Sequence, residues 1–583
     1  MKIIIETDKK NLNKYNENEI LTPQSNLKYV NIDKLSNDYI NFVGDLNKKY
    51  NSIIWWTCSI GSRNQYVSNL YKNICYYIEI IERIKHFNKD IFYVMIDNKF
   101  LIKQLKMYCK QNKIEYIILN NIKLNIKFFF TYLYLLVLNF ITTSKKIKYK
   151  YLTEKNLGKQ IRKRLKNKEY YILRTGIDKR SFNNNQYDDI YYGKLVDYIQ
   201  KKINLIILCV IYNSFKKNLD KIKYNNIHNN YLIIPIYFFI KYIDIFKLFF
   251  LQWIIFFQLK IKLKQKNIKF DEYHIYYLFK QEIIDNLFNG EYKNNLLYYF
   301  VAKNIGKKIN CKFFTFPYEN HSWEKLIILS FKKYSHNTFI IGYQHSSISK
   351  SLFNYFLCKD ESKIIPLPHK IITVGNESIK IMEKYGNFPI NILSKGCALR
   401  YEYIFNKKIK NNNKFKNILI ILPGNFVDSI NLLKFLLTCF KNESLFSIKI
   451  KYHPVFPIEK ILSKGKFDLP EHFNIENRNI DESLNDADIV LYSNTTACIE
   501  ALMLGIPVIF ININNYYNED RLFNCNYLKW SIQKKNELFQ SIHNICNMNK
   551  IEFKNQQKLA QKYVKNYFSP ISDERLDEFT KTF

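Results

Sequence analysis

The residues best placed to do chemistry lie in Tyr492–Phe510, YSNTTACIEALMLGIPVIF. Ser493, Asn494, Thr495 and Thr496 stand where a polar turn passes into a helix. Side-chain oxygens of these types cap the free N–H groups of a helix start, and that end attracts phosphate. Glu500 lies about one turn further on, where it can face the same ligand. Gly505 ends the helix, and Pro507-Val-Ile-Phe510 enters a buried strand. Upstream, Ile448–Tyr452 reads as a strand running into His453-Pro454. Helix capping alone accounts for Ser493 or Thr495. It leaves unexplained a histidine at the neighbouring strand end, and the two together make a candidate diphosphate cradle.

Two further strand ends carry titratable groups. Cys311–Phe316 reads as a strand and is followed by Pro317-Tyr-Glu319-Asn-His321-Ser-Trp323-Glu324. A carboxylate at such an end, facing a cleft, can take the proton of a hydroxyl. Glu319 is the first candidate for that base, with His321 and Glu324 as rivals. Glu324 also suits the first turn of a helix, where negative charge is stabilising. The strand Thr338–Ile341 leads into Gly342-Tyr-Gln-His345-Ser346-Ser347. His345 there would contact phosphate or move a proton, or else be a buried, hydrogen-bonded histidine. Asp188-Asp189 is an adjacent acid pair without a third ligand, and it reads as structural.

Strands alternating with helices must position these groups. From Asn417–Leu422, ending at Pro423-Gly424-Asn425, the pattern alternates through strands 446–452, 472–477 and 488–492. Such alternation implies a mostly parallel, doubly wound sheet, which binds ligands at the carboxyl ends of its strands. Gly424, His453 and Ser493 all fall at such ends. In the first half, Ser52–Trp56 reads as a buried strand before a polar loop, Thr57–Asn64. Strands 91–96 and 115–119 follow, and the same sheet resumes at Tyr170–Leu173, Ile203–Ile211 and near 311–316, 338–343 and 370–374. The expected layout is an N-terminal Rossmann-like domain over 1–398, with insertions near 121–168 and 231–268. A linker (399–414), a C-terminal domain (415–565) and a tail or helix (566–583) complete it.

The 583 residues are enough for about two to four domains, and 47% hydrophobic content supports large cores. A net charge of +38 points to an anionic partner, although a residue usage rich in Lys, Asn, Ile and Tyr inflates it. Eleven cysteines without a CxxC pair fit reduced thiols in a cytoplasmic protein and argue against zinc. Phe128–Thr143 is an apolar run shorter than the ~20 residues that span a bilayer. The basic stretch Lys145–Lys168 follows it. Tyr231–Phe257 is longer but carries Lys241, Asp244 and Lys247. An aromatic, apolar face beside clustered Lys and Arg suits an interfacial helix on anionic lipid. Two buried core helices with a solvated basic loop are the other reading.

Lys451-Tyr-His-Pro454, Ser493-Asn-Thr-Thr496 and Glu500-Ala-Leu-x-x-Gly505-x-Pro507 together resemble the donor half of GT-B glycosyltransferases. The resemblance is to bacterial enzymes of capsule and other surface polysaccharides, including polysialyltransferase-like and glycerophosphotransferase-like relatives. It covers residues 340–515 well and the rest loosely. Gly342–Ser347 resembles a QHG-type motif of that group, with Ser346 where Gly is common. Trp55–Ser59 and Ser62-Arg63-Asn64 resemble its first strand and loop.

The resemblance implies two Rossmann-like domains facing a cleft, with a nucleotide-sugar donor on the C-terminal side. His453, Pro454, Ser493–Thr496 and Gly424 would hold the nucleotide phosphates, and Glu500 the ribose. Ser59, Arg63 and Asn64 would lie near the acceptor, with Arg63 on an acidic sugar or a lipid-linked phosphate. The implied reaction is inverting and metal-independent, with no cofactor, on a lipid-linked or polymeric glycan. It belongs to envelope, capsule or lipopolysaccharide biogenesis. The implied place is cytoplasmic and peripheral at the inner face of the plasma membrane. A polyol-phosphate transferase or a sugar-nucleotide epimerase on the same fold remains open. So does a non-enzymatic nucleic-acid- or membrane-binding protein. The basic cluster at 145–168 borders apolar runs, which suits lipid better than nucleic acid.

Overall fold

The computed structural model describes residues 2–15, 20–23, 27–86, 90–119, 121–251, 267–410, 415–443, 445–454, 456–514 and 516–582. Two parallel α/β sheets carry the architecture. The first has seven strands in the order Leu393–Lys395, Lys370–Thr373, Phe339–Gln344, Asn310–Pro317, Glu169–Ile177, Asn204–Ile211, Leu232–Pro235. The second has six, in the order Phe473–Glu476, Ser447–Lys451, Asn417–Ile421, Ile489–Tyr492, Val508–Ile511, Lys529–Ile532. Every pairing in both is parallel. Central strands buried on both faces read as near-continuous apolar runs. Glu169–Ile177, EYYILRTGI, is buried at every position after Glu169. The expected α/β class, two Rossmann-like units facing a cleft, is what the chain forms.

Strand order places the site. In each sheet the chain first builds outward in one direction, then returns to the centre and builds in the other. The reversal falls between Glu169–Ile177 and Asn310–Pro317 in the first sheet. In the second it falls between Asn417–Ile421 and Ile489–Tyr492. Crevices at the carboxyl ends of such strand pairs are where open α/β sheets bind ligands. Glu319 follows one reversal, and Gly424 and Ser493 flank the other.

Residues 2–118 depart from expectation. Instead of starting the large sheet, they build their own four-stranded parallel sheet, ordered Ile20–Leu21, Ile91–Met95, Lys2–Glu6, Glu115–Ile118. The expected strand Ser52–Trp56 is a helical turn, Ile53–Trp56, with the Ser52 side chain accepting from Trp55 N at 3.2 Å. A short apolar run fits a strand or a buried helix equally, and the capping serine decides it. Both tryptophans are buried, donating their indole N–H groups to Asn47 and Asn51.

The first insertion is one helix, Asn121–Arg164. Its second half is core, with Leu157 and Ile161 fully buried. Earlier on it, Phe130, Tyr134, Val137 and Phe140 are exposed. The second apolar segment opens with an edge strand, Leu232–Pro235, rather than a helix. Its remainder is helical at 242–251, and 252–266 lie outside the described residues. No described helix is long and apolar enough to cross a membrane. After the helix Lys550–Tyr567 the chain leaves the six-stranded sheet and docks on the seven-stranded one. There Ser569 N donates to Val374 O, Tyr171 OH to Phe579 O, and Lys370 pairs with Glu578 at 2.8 Å.

Candidate active site

Asn310–Pro317 ends at a proline, and Asn320 takes a left-handed φ of 56°. Between them Glu319 is held by its backbone: its N–H donates to Glu324 Oε1 and Oε2 at 3.1 and 3.2 Å, and its carbonyl accepts from Asn354 Nδ2. Glu324 is thereby removed as a rival base. It is fully buried at the start of the helix Ser322–Tyr334, and burial pushes its carboxyl up to about 7.

The Glu319 side chain keeps 37% of its surface open, although protein crowds its other sides. Its Oε2 lies 2.6 Å from His321 Nε2, and its Oε1 lies 3.8 Å from His345 Nε2. Burial works against the carboxylate charge, yet the hydrogen bond from His321 and the nearby His345 and Arg521 outweigh it. The group is held at about 2. Burial likewise opposes charge on His321, and Glu319 overcomes it, raising the imidazole above its ordinary value. His345 goes the other way: burial, opposed by Glu319 and assisted by Arg400, pushes it down to about 4. Its Nδ1 is buried without a hydrogen-bond partner. On the other side of His321, Nδ1 lies 3.3 Å from Asn64 Nδ2.

Of the three acceptor candidates, Asn64 alone reaches this centre. Arg63 is 1% exposed and forms a bidentate pair with Glu361, at 2.9 and 2.5 Å, while also donating to Ile40 O. Ser59 is 3% exposed, with its hydroxyl on Glu282 and its N–H on Asn286. Neither can meet an acceptor. Both partners lie hundreds of residues away, so the local sequence could not reveal that these side chains were already occupied.

On the opposite sheet, Ser493 ends Ile489–Tyr492. It is 2% exposed, and its hydroxyl is buried without a hydrogen-bond partner. The helix behind it starts at Ala497 and has seven residues, so the loop 493–496 supplies polar groups more than a long helix dipole does. Thr495 Oγ1 accepts from Ala497 N at 3.3 Å. Asn494 donates to Glu519 at 3.0 Å and accepts from Arg521 Nε and Nη2 at 3.1 and 2.9 Å. The His453 ring follows Ser447–Lys451, and Pro454 beyond it is exposed. That ring lies 3.4 Å from where a Cβ on Gly424 would stand. Partial burial and the Arg180 guanidinium keep its imidazole towards neutral. Glu500 does not open on the cleft. It is 5% exposed, its Oε2 is buried without a hydrogen-bond partner, and burial raises its carboxyl to about 7.

The two sides touch. Ser347 Oγ meets Thr496 Oγ1 at 3.1 Å, and Arg521 Nη1 donates to Ser347 O at 2.8 Å. Sequence reasoning named Ser347 within its motif but gave it no role, and it missed Glu519 and Arg521. The signal for the last two was the charged run Glu519-Asp-Arg521 soon after a buried strand. Arg180 follows the other strand of the first sheet's reversal. It is paired with Asp178 at 2.7 Å. Asp189 is a structural residue, accepting from Tyr187 OH and the N–H groups of Tyr191 and Tyr192.

No family model and no curated protein matches this chain. Among solved structures it is similar to a glycosyltransferase from Rickettsia africae, at 14% identity over 72% of this chain and 100% of that one, TM-score 0.38. MurG of Acinetobacter baumannii is similar at 10% identity over 71% and 100%, TM-score 0.40. The UDP-GlcNAc 2-epimerase of Methanocaldococcus jannaschii is similar at 11% identity over 68% and 98%, TM-score 0.37. Likeness at this level leaves the function to be read from the residues of the cleft.

Proposed function

We propose that the chain is a glycosyltransferase of the GT-B type that moves a sugar from a nucleotide-sugar donor to a surface-glycan acceptor. One observation carries this. Glu319 follows one sheet's reversal and the loop Ser493–Thr496 the other, and Arg521, which acts electrostatically on Glu319, hydrogen-bonds Asn494 of that loop and Ser347 O on the loop after His345. The donor diphosphate sits among His453, Ser493 and Thr495, with Arg180 and Arg521 as counter-charges. Oε1 of Glu319 takes the proton of the acceptor hydroxyl. The acceptor oxygen bonds to the anomeric carbon as the carbon–oxygen bond to phosphate breaks, and the nucleoside diphosphate departs with the electron pair. Attack from the face opposite the leaving group inverts the centre. Charge stabilisation at that leaving group is where most of the rate arises. No step needs a metal.

The acceptor in this reading is lipid-linked, and the protein works at the inner membrane face in capsule or lipopolysaccharide assembly. Support comes from two exposed apolar faces on segments that share contact with one buried lysine. Phe130, Tyr134, Val137 and Phe140 are 52–65% exposed at helical spacing, and Ile243, Phe246 and Phe250 are 49–61% exposed on the next segment. Lys293 Nζ donates to Asn139 O and lies 5.8 Å from the Phe249 ring centroid, tying the two together. The lysines of 145–168 flank them with charge that suits anionic lipid.

A thermal-shift screen against CMP, CDP, UDP, GDP and their sugar conjugates tests the donor site. Stabilisation by one nucleotide, lost in His453→Ala and Thr495→Ala, supports it. Conversion of the sugar nucleotide without any acceptor would replace transfer by epimerisation. No response to any nucleotide would overturn the reading and leave lipid or nucleic-acid binding.

A further inference from the structure

Two arginines close to His345 have no carboxylate partner among the described residues. Arg174 is 6% exposed. Its Nη2 donates to Tyr298 OH at 2.9 Å, its guanidinium carbon lies 4.0 Å from the Trp323 ring centroid, and its Nε is buried with no hydrogen-bond partner. Arg400 is half-buried, with its guanidinium 5.4 Å from the Tyr191 ring centroid. Tyr191 in turn meets His345 edge-on, with centroids 5.0 Å apart and an angle of 84°. Both arginines act electrostatically on His345 and on Tyr191.

A buried cation without a counter-ion is costly, and aromatic faces offset only part of that cost. Here two cations, an unpaired Arg174 Nε and an unpaired His345 Nδ1 stand together beside half-buried Tyr191, Tyr298 and Trp323. An anion completes the set, and the aromatic faces offer packing for the ring that carries it. We infer that this arginine–aromatic cluster binds an anionic group, carboxylate or phosphate, borne by a sugar of the acceptor glycan. Calling that sugar the acceptor rests on the transfer reading. The anion site itself does not.

Saturation-transfer NMR on the full chain, with glucuronic acid, glucose 6-phosphate and glucose as probes, tests the inference. One or both acids bind and glucose does not. The carboxylate and phosphate arms say which anion the cluster takes. Binding survives His453→Ala, and Arg400→Gln weakens it by about tenfold or more, the loss expected for a charged hydrogen bond. Arg400 carries the test because it is half-exposed, whereas a change at Arg174 could unfold the sheet. Glucose binding as well as the acids, neither acid binding, or acids binding Arg400→Gln unchanged each overturns the inference. Loss of binding in His453→Ala also overturns it, by moving the anion to the donor cradle. A protein that binds the acids as described but no nucleotide keeps the anion site and refutes the transferase.

Discussion

Ser347 Oγ and Thr496 Oγ1 lie 3.1 Å apart, one on the loop after the first sheet's Phe339–Gln344 and the other on the loop Ser493–Thr496 of the second. The contact fixes how near that loop comes to the loop carrying His345. Ser347→Ala removes it and leaves the half-buried Thr496 to water. The expected cost is about 1 kcal/mol in urea unfolding, with a weaker apparent affinity for whichever nucleotide stabilises the protein. An unchanged nucleotide affinity would separate this contact from donor binding.

Arg63 and Glu361 are the chain's most buried ion pair among those described, at 1% and 0% exposure. Arg63→Ala strands a buried carboxylate, and the expected loss is about 3–5 kcal/mol. Arg63→Met with Glu361→Leu recovers much of it, because neither charge is then left alone. Chemical denaturation of the single and double variants decides. If Arg63 bound acceptor instead, the single variant would stay stable and fail only in turnover.

The Glu319–His321 pair makes a pH prediction. The carboxylate is depressed to about 2, so its contribution to stability is full above the unfolded value of about 4.3 and is lost as pH falls through 2. The imidazole is raised, so its contribution is full below the unfolded value of about 6.5 and is lost as pH rises through its folded value. The melting-temperature gap between the native chain and Glu319→Gln is therefore widest between about pH 4.3 and 6.5. NMR titration of His321 should show its raised value return towards the ordinary one in Glu319→Gln. A gap that does not vary with pH would deny the pair.

Gly375 sits where an added Cβ would collide with the carbonyl oxygens of Tyr567 and Asn566, both backbone atoms that cannot turn away. Gly375→Ala is expected to cost about 1–3 kcal/mol, as overpacking does. Limited proteolysis should then cut near 566–570 before anywhere else in the C-terminal half. Gly424→Ala, whose new Cβ would meet the movable His453 ring first, at 3.4 Å, should stay folded by the same assay.

What was legible in the sequence was local. The strand-end positions of Ser493 and His453 were readable because each follows a buried apolar run and begins a polar one, a pattern that needs no distant partner. Glu319 was legible for the same reason. The fate of Arg63 turned on Glu361, 298 positions on, and that of Ser59 on Glu282. A basic or hydroxyl residue in a loop looks the same whether it faces a ligand or a buried carboxylate. Arg400 and Arg174 gave no local signal at all, since only strand order brings them beside His345. Ser52–Trp56 misled because four apolar residues carry no usable period.

The return of residues 568–582 to the seven-stranded sheet has a consequence for synthesis. Tyr171 waits for Phe579, Lys370 for Glu578 and Val374 for Ser569. The first large unit therefore lacks these contacts while it emerges from the ribosome and gains them only after the whole second unit has been made. An N-terminal fragment ending before Asn417 would carry the Glu319 loop and lack the residues 569–579 that dock on the sheet. The last contacts of the first unit are thus tied to completion of the second.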